Sequence, residues 1–206
     1  VSEANVSSQK SRDRIGIIIG GTNLQQRQWI GLQEHYQQKP HFLRPHYGFA
    51  YLDSDLLGVL TEAFNIQGES YVLGGASASG QMAIIHAARL VQTGVLDTVI
   101  ALGALSDLSY WECQGLTAIG AMAECPENHS PVEICRPFDQ AHRGFVFGEG
   151  CAAVVIDKAS SRALQQIVGA GVSIDANRNP NPSQAGQVTA IRTAVTQAGI
   201  VPEEIG

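Results

Sequence analysis

The sequence is short of charge. Only 16% of its 206 residues are Asp, Glu, Lys or Arg, well under the roughly 25% of an ordinary soluble domain. Thirteen basic residues against nineteen acidic ones give a formal net charge of −6, with no run of Lys or Arg. That argues against an electrostatic footprint for nucleic acid. No apolar stretch approaches the ~20 residues that cross a bilayer, so no membrane partner is expected. Cys113, Cys125, Cys135 and Cys151 form no C-x-x-C pair. They are expected as reduced, buried thiols rather than disulfides or a zinc site, and with them a cytoplasmic setting. The polar start lacks the apolar segment of a secretory signal. The chain begins with Val rather than Met, and an excerpt or processed piece of a longer protein is expected. What the sequence does hold is 44% hydrophobic residues and 22 glycines, material for extensive buried surface in a layered α/β protein or an obligate oligomer.

Residues 1–14 read as a polar tail or boundary, and 15–206 as one partial domain. Arg14 to Gly21 (RIGIIIGG) is a β-branched run closed by glycines, which suits a strand buried on both faces. Asn23 to Pro45, rich in Gln and His, predicts a helix followed by a loop. Asp53 to Phe64 has apolar residues at helical spacing, with Asp53 or Ser54 as N-cap. Tyr71 to Leu73 is a short strand ended by Gly74-Gly75. Ser77 to Thr93 is a helix stopped by Gly94, apolar on nearly every face and so enclosed. Thr98–Leu105, Cys151–Asp157 and Ile167–Ile174 predict buried strands, the last two flanking a short segment around Ala159–Leu164. Gln184 to Ala198 is an amphipathic helix ended by Gly199, and Pro202-Glu203-Glu204 leads to the next element. Alternating strands and helices with short connections define an α/β fold.

The segment Tyr71-Val-Leu-Gly-Gly-Ala-Ser-Ala-Ser-Gly80 carries the chemistry. A strand runs through small residues into a long apolar helix, so one side chain is displayed among the free N–H groups at the helix start. Two readings fit: a nucleophile elbow, or a tight α/β turn with small residues for packing. A serine hydrolase fits badly. The G-x-S-x-G pattern fails, and His86, His129 and His142 have no evident orienting carboxylate. A phosphate loop is absent, since no G-x-x-x-x-G-K-[ST] occurs.

Ala76-Ser77-Ala78-Ser79-Gly80 resembles the Ala-Cys-Ala-Ser-Gly active-site segment of β-ketoacyl synthases of the thiolase superfamily. Arg136-Pro-Phe-Asp139, then Phe147-Gly-Glu-Gly150, is similar to a second ketosynthase signature, and Gly171-Val-Ser-Ile-Asp-Ala176 to a third. The resemblance implies a thiolase-like, layered α/β/α/β/α fold of which this chain is the central portion. The first family strand is then expected upstream of Val1. The two family histidines, in His-Gly-Thr and Gly-His motifs, are absent and expected beyond Gly206. Gly103 to Met122, together with Gly75-Ala-Ser77, resembles the serine-for-cysteine homologues of polyketide β-branching cassettes. Those proteins decarboxylate malonyl-acyl carrier protein to acetyl-acyl carrier protein. The resemblance further implies a homodimer and an acyl carrier protein partner bearing phosphopantetheine. It also implies a downstream enzyme similar to 3-hydroxy-3-methylglutaryl-CoA synthase, with no metal or cofactor held by the chain. Asp107, Tyr110, Trp111 and Glu112 carry the closer resemblance and are expected in a packed or dimer-facing segment. Asp139 and Glu149 are expected to organise loops through backbone bonds, and Gly144, Gly148 and Gly150 to serve turn geometry. Where many ketosynthases have His-x-Thr after Asp-Ala, this chain has Asn177-Arg178-Asn179-Pro180, so the pantetheine contacts that the resemblance implies for that loop are not carried over. Substrate-binding residues are left unassigned.

Ser77 is the candidate catalytic residue. A helix dipole contributes ~0.3–1 kcal/mol, occasionally ~2, and a tenfold change in acidity corresponds to ~1.4 kcal/mol. The dipole can therefore lower a cysteine pKa from ~8.5 to roughly 7.5, enough for useful thiolate at neutral pH. An alcohol starts far higher and stays protonated. Ser77 is therefore expected to remain unacylated and condensation to fail. Decarboxylation needs only hydrogen-bond donors at the developing enolate oxygen, with departure of the carboxylate favoured in an apolar pocket. Two rivals stay open: a catalytically silent ketosynthase-like partner subunit, and an acyltransferase or hydrolase using Ser77.

Overall fold

The computed structural model describes residues 11–50, 52–105, 107–158, 163–178 and 181–205. Most of the predicted tail, most of the Ala159–Leu164 segment and the Asn179-Pro180 pair lie outside the described residues. The chain divides into two compact units, residues 1–158 and 159–206.

The first unit opens with a 3-10 turn, Arg12–Arg14, then β1 (Ile15–Gly20), α1 (Gln26–Tyr36), a 3-10 turn at Pro40–Phe42, α2 (Tyr47–Ala50) and α3 (Asp53–Phe64). It continues with β2 (Tyr71–Leu73), a 3-10 turn Ala76–Ala78, α4 (Ser79–Gln92), β3 (Thr98–Gly103), α5 (Tyr110–Ala118), α6 (Pro131–Ile134) and β4 (Ala152–Asp157). The strands form one mixed sheet in the order β2-β1-β3-β4. β1 is parallel to both β2 and β3, and β4 runs antiparallel to β3.

Period-2 alternation in β1 decides what packs on each face. Ile15, Ile17 and Ile19 join Ile100, Leu24 and Ile66 under Leu56, Leu57 and Leu60 of α3. On the other face Ile18, Val99 and Ala101 meet Ala83, Ala87 and Val91 of α4. Gly16 and Gly20 share that second face, and their lack of side chains lets other chain segments come close. A Cβ on Gly20 would overlap the carbonyl of Ser79, at the start of α4. Helix α4 is enclosed as predicted, with Gln81, Arg89 and Gln92 at its exposed edge, and Gly94 follows its end in the left-handed conformation at φ 75°.

Several expectations are corrected. The N-cap of α3 is Leu52, which makes no side-chain cap bond; Asp53 is already helical and its carboxylate is used elsewhere. β4 forms, yet Ala152, Ala153 and Val154 are exposed, because among the described residues β4 is paired on one side only. The cysteines have no disulfide partner, but Cys125, Cys135 and Cys151 are exposed and Cys113 half-buried. They sit outside the core, the last of them at this open sheet edge.

In the second unit, α7 (Gln184–Ala198) begins on Ser183, whose Oγ accepts from the Gly186 N–H at 3.2 Å, and ends on Gly199 at φ 68°. The 3-10 turn Pro202–Glu204 follows. The predicted strand Ile167–Ile174 does not form. Its glycines serve a different contact: side chains on Gly169 or Gly171 would overlap the carbonyls of Ala194 and Ala190 in α7. The segment lies against that helix, with the Ala170 N–H donating to Gln197 Oε1 at 2.8 Å. Among the described residues no strand lies beside it, so its backbone has no ladder to join there. Asp175, of the third signature, accepts from the Ser183 N–H at 2.8 Å and so fixes the start of α7.

Candidate functional site

Three parallel strands finish at one end of the sheet, and β4 starts there, because Gly103 is paired with Ala152. Register therefore brings together segments that are far apart in sequence: Gly20-Gly21 after β1, Gly74 to Ser77 after β2, Gly103 onward after β3, and Gly148-Glu149-Gly150 before β4. The crevice at the C-terminal ends of parallel strands is where open α/β sheets bind ligands.

The turn after β2 is built from small residues under constraint. Gly74 lies against Thr22, whose Cγ2 leaves no room for a Cβ, and Gly75 lies against Met82. Ala76 is held at φ 48°, a conformation that side chains other than those of Asn and Asp rarely adopt. Ser79 holds the turn closed: its buried hydroxyl accepts from the Gly75 N–H at 2.9 Å and donates to the Ala76 carbonyl at 2.7 Å. Ser77, two residues earlier, is exposed. Among the described residues neither its hydroxyl nor its N–H has a hydrogen-bond partner. The helix predicted from Ser77 begins at Ser79, so the free donor pair sits in the 3-10 turn Ala76–Ala78 that leads into this fourteen-residue helix, near the end where negative charge is stabilised.

Among the described residues no imidazole is bonded to that hydroxyl. His86 pairs with the Tyr71 hydroxyl at 3.3 Å, the rings meeting edge to face. Burial, and then the charge of Glu69, hold the Tyr71 phenol above its ordinary pKa. His142 Nδ1 lies 2.6 Å from the Asp139 carbonyl oxygen. Asp139 organises its loop as expected, accepting from the Ala141 N–H at 2.7 Å, whereas Glu149 is exposed and has no partner among the described residues.

Gly144 has the positive φ expected of it, 100°, and sits against the carbonyl of Ala121. There the Phe145 N–H donates to the Ala121 carbonyl at 2.9 Å, and the Ala123 N–H to the Phe145 carbonyl at 2.9 Å. Gly148 and Gly150 have open space and no positive φ, so turn geometry does not require them. Phe138 and Ala176 join Ala76 at positive φ, 65° and 52°. Each of the three signatures thus contains one strained non-glycine residue, a signal that the sequence does not display.

After β3 the chain is organised by local polar contacts. Ser109 and Glu112 form a reciprocal capping box, with bonds of 2.9 and 3.3 Å. Asp107 pairs with Arg27 at 3.1 Å, and Tyr110 and Trp111 stack edge to face, 5.5 Å apart, both exposed. A groove of about 710 Å³ lies beside them, lined by Trp29, Ile30, Leu43, Tyr47 and Trp111 but not by Ser77. Among the described residues no cluster of three or more His, Cys, Asp or Glu could hold a metal ion, and no helix is long and apolar enough to cross a membrane.

A mixed sheet between helices, with a strained small-residue turn leading into the enclosed helix α4, defines a thiolase-like fold of ketosynthase type. The chain belongs to the β-ketoacyl synthase family, whose N-terminal domain matches residues 1–162. It is 46% identical, over 93% of its length, to the polyketide biosynthesis malonyl-ACP decarboxylase PksF of Bacillus subtilis (strain 168). It is also similar to the ketosynthase ApeO, solved in complex with its chain length factor ApeC from Xenorhabdus doucetiae, at 28% identity and a TM-score of 0.76 over 99% of this chain. The ishigamide ketosynthase/chain length factor superposes with a TM-score of 0.83 over the whole chain, at 23% identity, which speaks for the fold. The chain spans about half the length of these proteins: 48% of the first, 49% of the second and 51% of the third.

Proposed function

We propose that the protein is a non-condensing malonyl-acyl carrier protein decarboxylase, a carbon–carbon lyase acting in polyketide β-branching. The observation that carries this reading is Ser77 itself: an exposed alcohol just ahead of α4, where the ketosynthase signature it resembles has cysteine, with no base bonded to its oxygen among the described residues. The 46% identity to a malonyl-ACP decarboxylase supports it.

In the proposed reaction the thioester carbonyl of the malonyl group faces the Ser77 N–H. The bond between the α-carbon and the carboxylate breaks, CO2 departs, and the electron pair becomes a thioester enolate stabilised by that donor. A proton delivered to the α-carbon gives acetyl-acyl carrier protein. No bond to Ser77 forms; its hydroxyl occupies the space of a sulfur and donates to substrate or water. Histidines of the kind that ketosynthases carry in later motifs would complete the donor set and supply the proton. The proposal includes a homodimer, an acyl carrier protein presenting its phosphopantetheine arm, a downstream HMG-CoA synthase-like enzyme, and a cytoplasmic setting.

The similarity to a ketosynthase solved with its chain length factor favours one second reading, a silent subunit that shapes a partner's pocket. Intact-mass analysis of malonyl-carrier protein incubated with the complete protein separates the two. Loss of CO2 with unmodified enzyme is expected. No turnover without a partner subunit would favour the silent reading, and an acyl adduct on Ser77 would overturn both.

A further inference from the structure

Sequence spacing offers Asp53 or Ser54 as a helix cap, but the fold gives the Asp53 carboxylate a different task. Oδ2 accepts from the Asn23 N–H at 2.9 Å and Oδ1 from the Leu24 N–H at 2.7 Å. The neighbouring Leu52 carbonyl accepts from Gln25 Nε2 at 2.9 Å. On its other side the same loop is tied to β2, the Gly21 N–H donating to the Leu73 carbonyl at 2.9 Å. Between these anchors Thr22 packs its methyl against Gly74, in the turn that presents Ser77. Asn23 is itself at φ 56°, a conformation the two carboxylate bonds hold in place.

We infer that Asp53 is a positioning residue for the serine turn: its carboxylate fixes the Thr22–Leu24 loop, and the loop, through Thr22 against Gly74, fixes where Ser77 and its N–H point. The inference rests on the decarboxylase reading for the chemistry that turn performs, but not for the geometry. Carboxylates are acceptor-only and can take two N–H bonds at once, which a single hydroxyl cap does not do as well. Asp55, in the same first helical turn, makes no side-chain bond to the loop and so separates loop anchoring from helix charge.

The test uses the complete protein carrying Ser77→Cys, with iodoacetamide alkylation at that position followed by peptide mass spectrometry. A thiol at a helix start owes its reactivity to the N–H groups and dipole there. Adding Asp53→Asn is expected to slow alkylation by about three- to tenfold. Asp53→Glu, which keeps the charge but moves the carboxylate by one methylene, should slow it as well, and Asp55→Asn should leave it unchanged. With Ser77 intact, Asp53→Asn should lower the decarboxylation kcat more than it raises KM. Equal alkylation rates in the Asp53 and Asp55 variants would overturn the inference, as would a loss in Asp53→Asn that Asp53→Glu fully restores. If the parent shows no decarboxylation while the alkylation difference persists, the functional reading fails and the positioning role stands.

Discussion

The two ends of the sheet are held by different means. Where β1 and β3 begin, charge does the fastening. Arg14 donates to both Asp97 oxygens, at 2.9 and 3.2 Å, and to the Gly94 and Val95 carbonyls at 2.9 and 2.7 Å. Lys158, just past β4, reaches the same aspartate at 3.1 Å. Where β1 to β3 finish, the close contacts are made by glycines, by Ser79 and by the buried edge of α4. One end pairs its polar groups with one another. The other closes its turn with backbone and small side chains, leaving the Ser77 hydroxyl and N–H without a partner among the described residues. Groups already satisfied by protein cannot stabilise a substrate's charge, so the proposed decarboxylase chemistry needs the uncommitted end.

The largest blow to this contrast is a side chain on Gly20. Gly20→Val forces atoms into the Ser79 carbonyl at the start of α4, and overpacking of this kind costs about 3 kcal/mol. Urea unfolding should report it, and a loss under about 0.5 kcal/mol would show that the end is not tightly packed. Glu112→Ala comes next. Removing half of the capping box should cost about 1 kcal/mol, concentrated in α5 and visible as faster amide exchange over residues 110–118.

Asp97→Asn probes the charged end. The Arg14 guanidinium, aided by Lys158, holds the Asp97 carboxyl well below the usual aspartate range. A carboxyl whose folded pKa is depressed contributes stability above its unfolded value, about 4, and loses it as pH falls below that. The melting temperature of Asp97→Asn should thus lie below that of the parent at pH 7, with the gap closing below about pH 4. These side chains are partly exposed, Lys158 more than half, so the gap should be modest and shrink in high salt. The smallest effect belongs to Ser77→Ala. Stability should be unchanged, and malonyl-carrier decarboxylation should fall by less than about tenfold, against at least ~10³-fold for the loss of a covalent nucleophile. The larger loss would end the claim that the oxygen is uncommitted.

Much of this was legible in the chain. The run RIGIIIGG does form the central strand, and Gly94 and Gly199 do stop their helices, because those signals are local. Ile167–Ile174 misled because glycine and β-branched residues suit both a buried strand and a close approach to a helix, and only the position of α7 separates the two. Asp53 misled because a helix-start aspartate has two possible partners, its own helix or a loop that folding brings to it. The serine turn was visible as a pattern of small residues. Its strained Ala76 and its Ser79 clasp were not, since each depends on backbone angles and on contacts that only folding makes.

The sequence alone determined β1 to β4, α1, α3 and α4 of the first unit, though not α5, and the alcohol just ahead of α4, because periodicity, glycine stops and residue chemistry act within a few positions of one another. The tertiary structure decided which end of the sheet gathers the first two signatures, which serine locks the turn and which stays free, and which loop the Asp53 carboxylate holds. Those outcomes follow from strand register and helix packing, which join residues far apart along the chain.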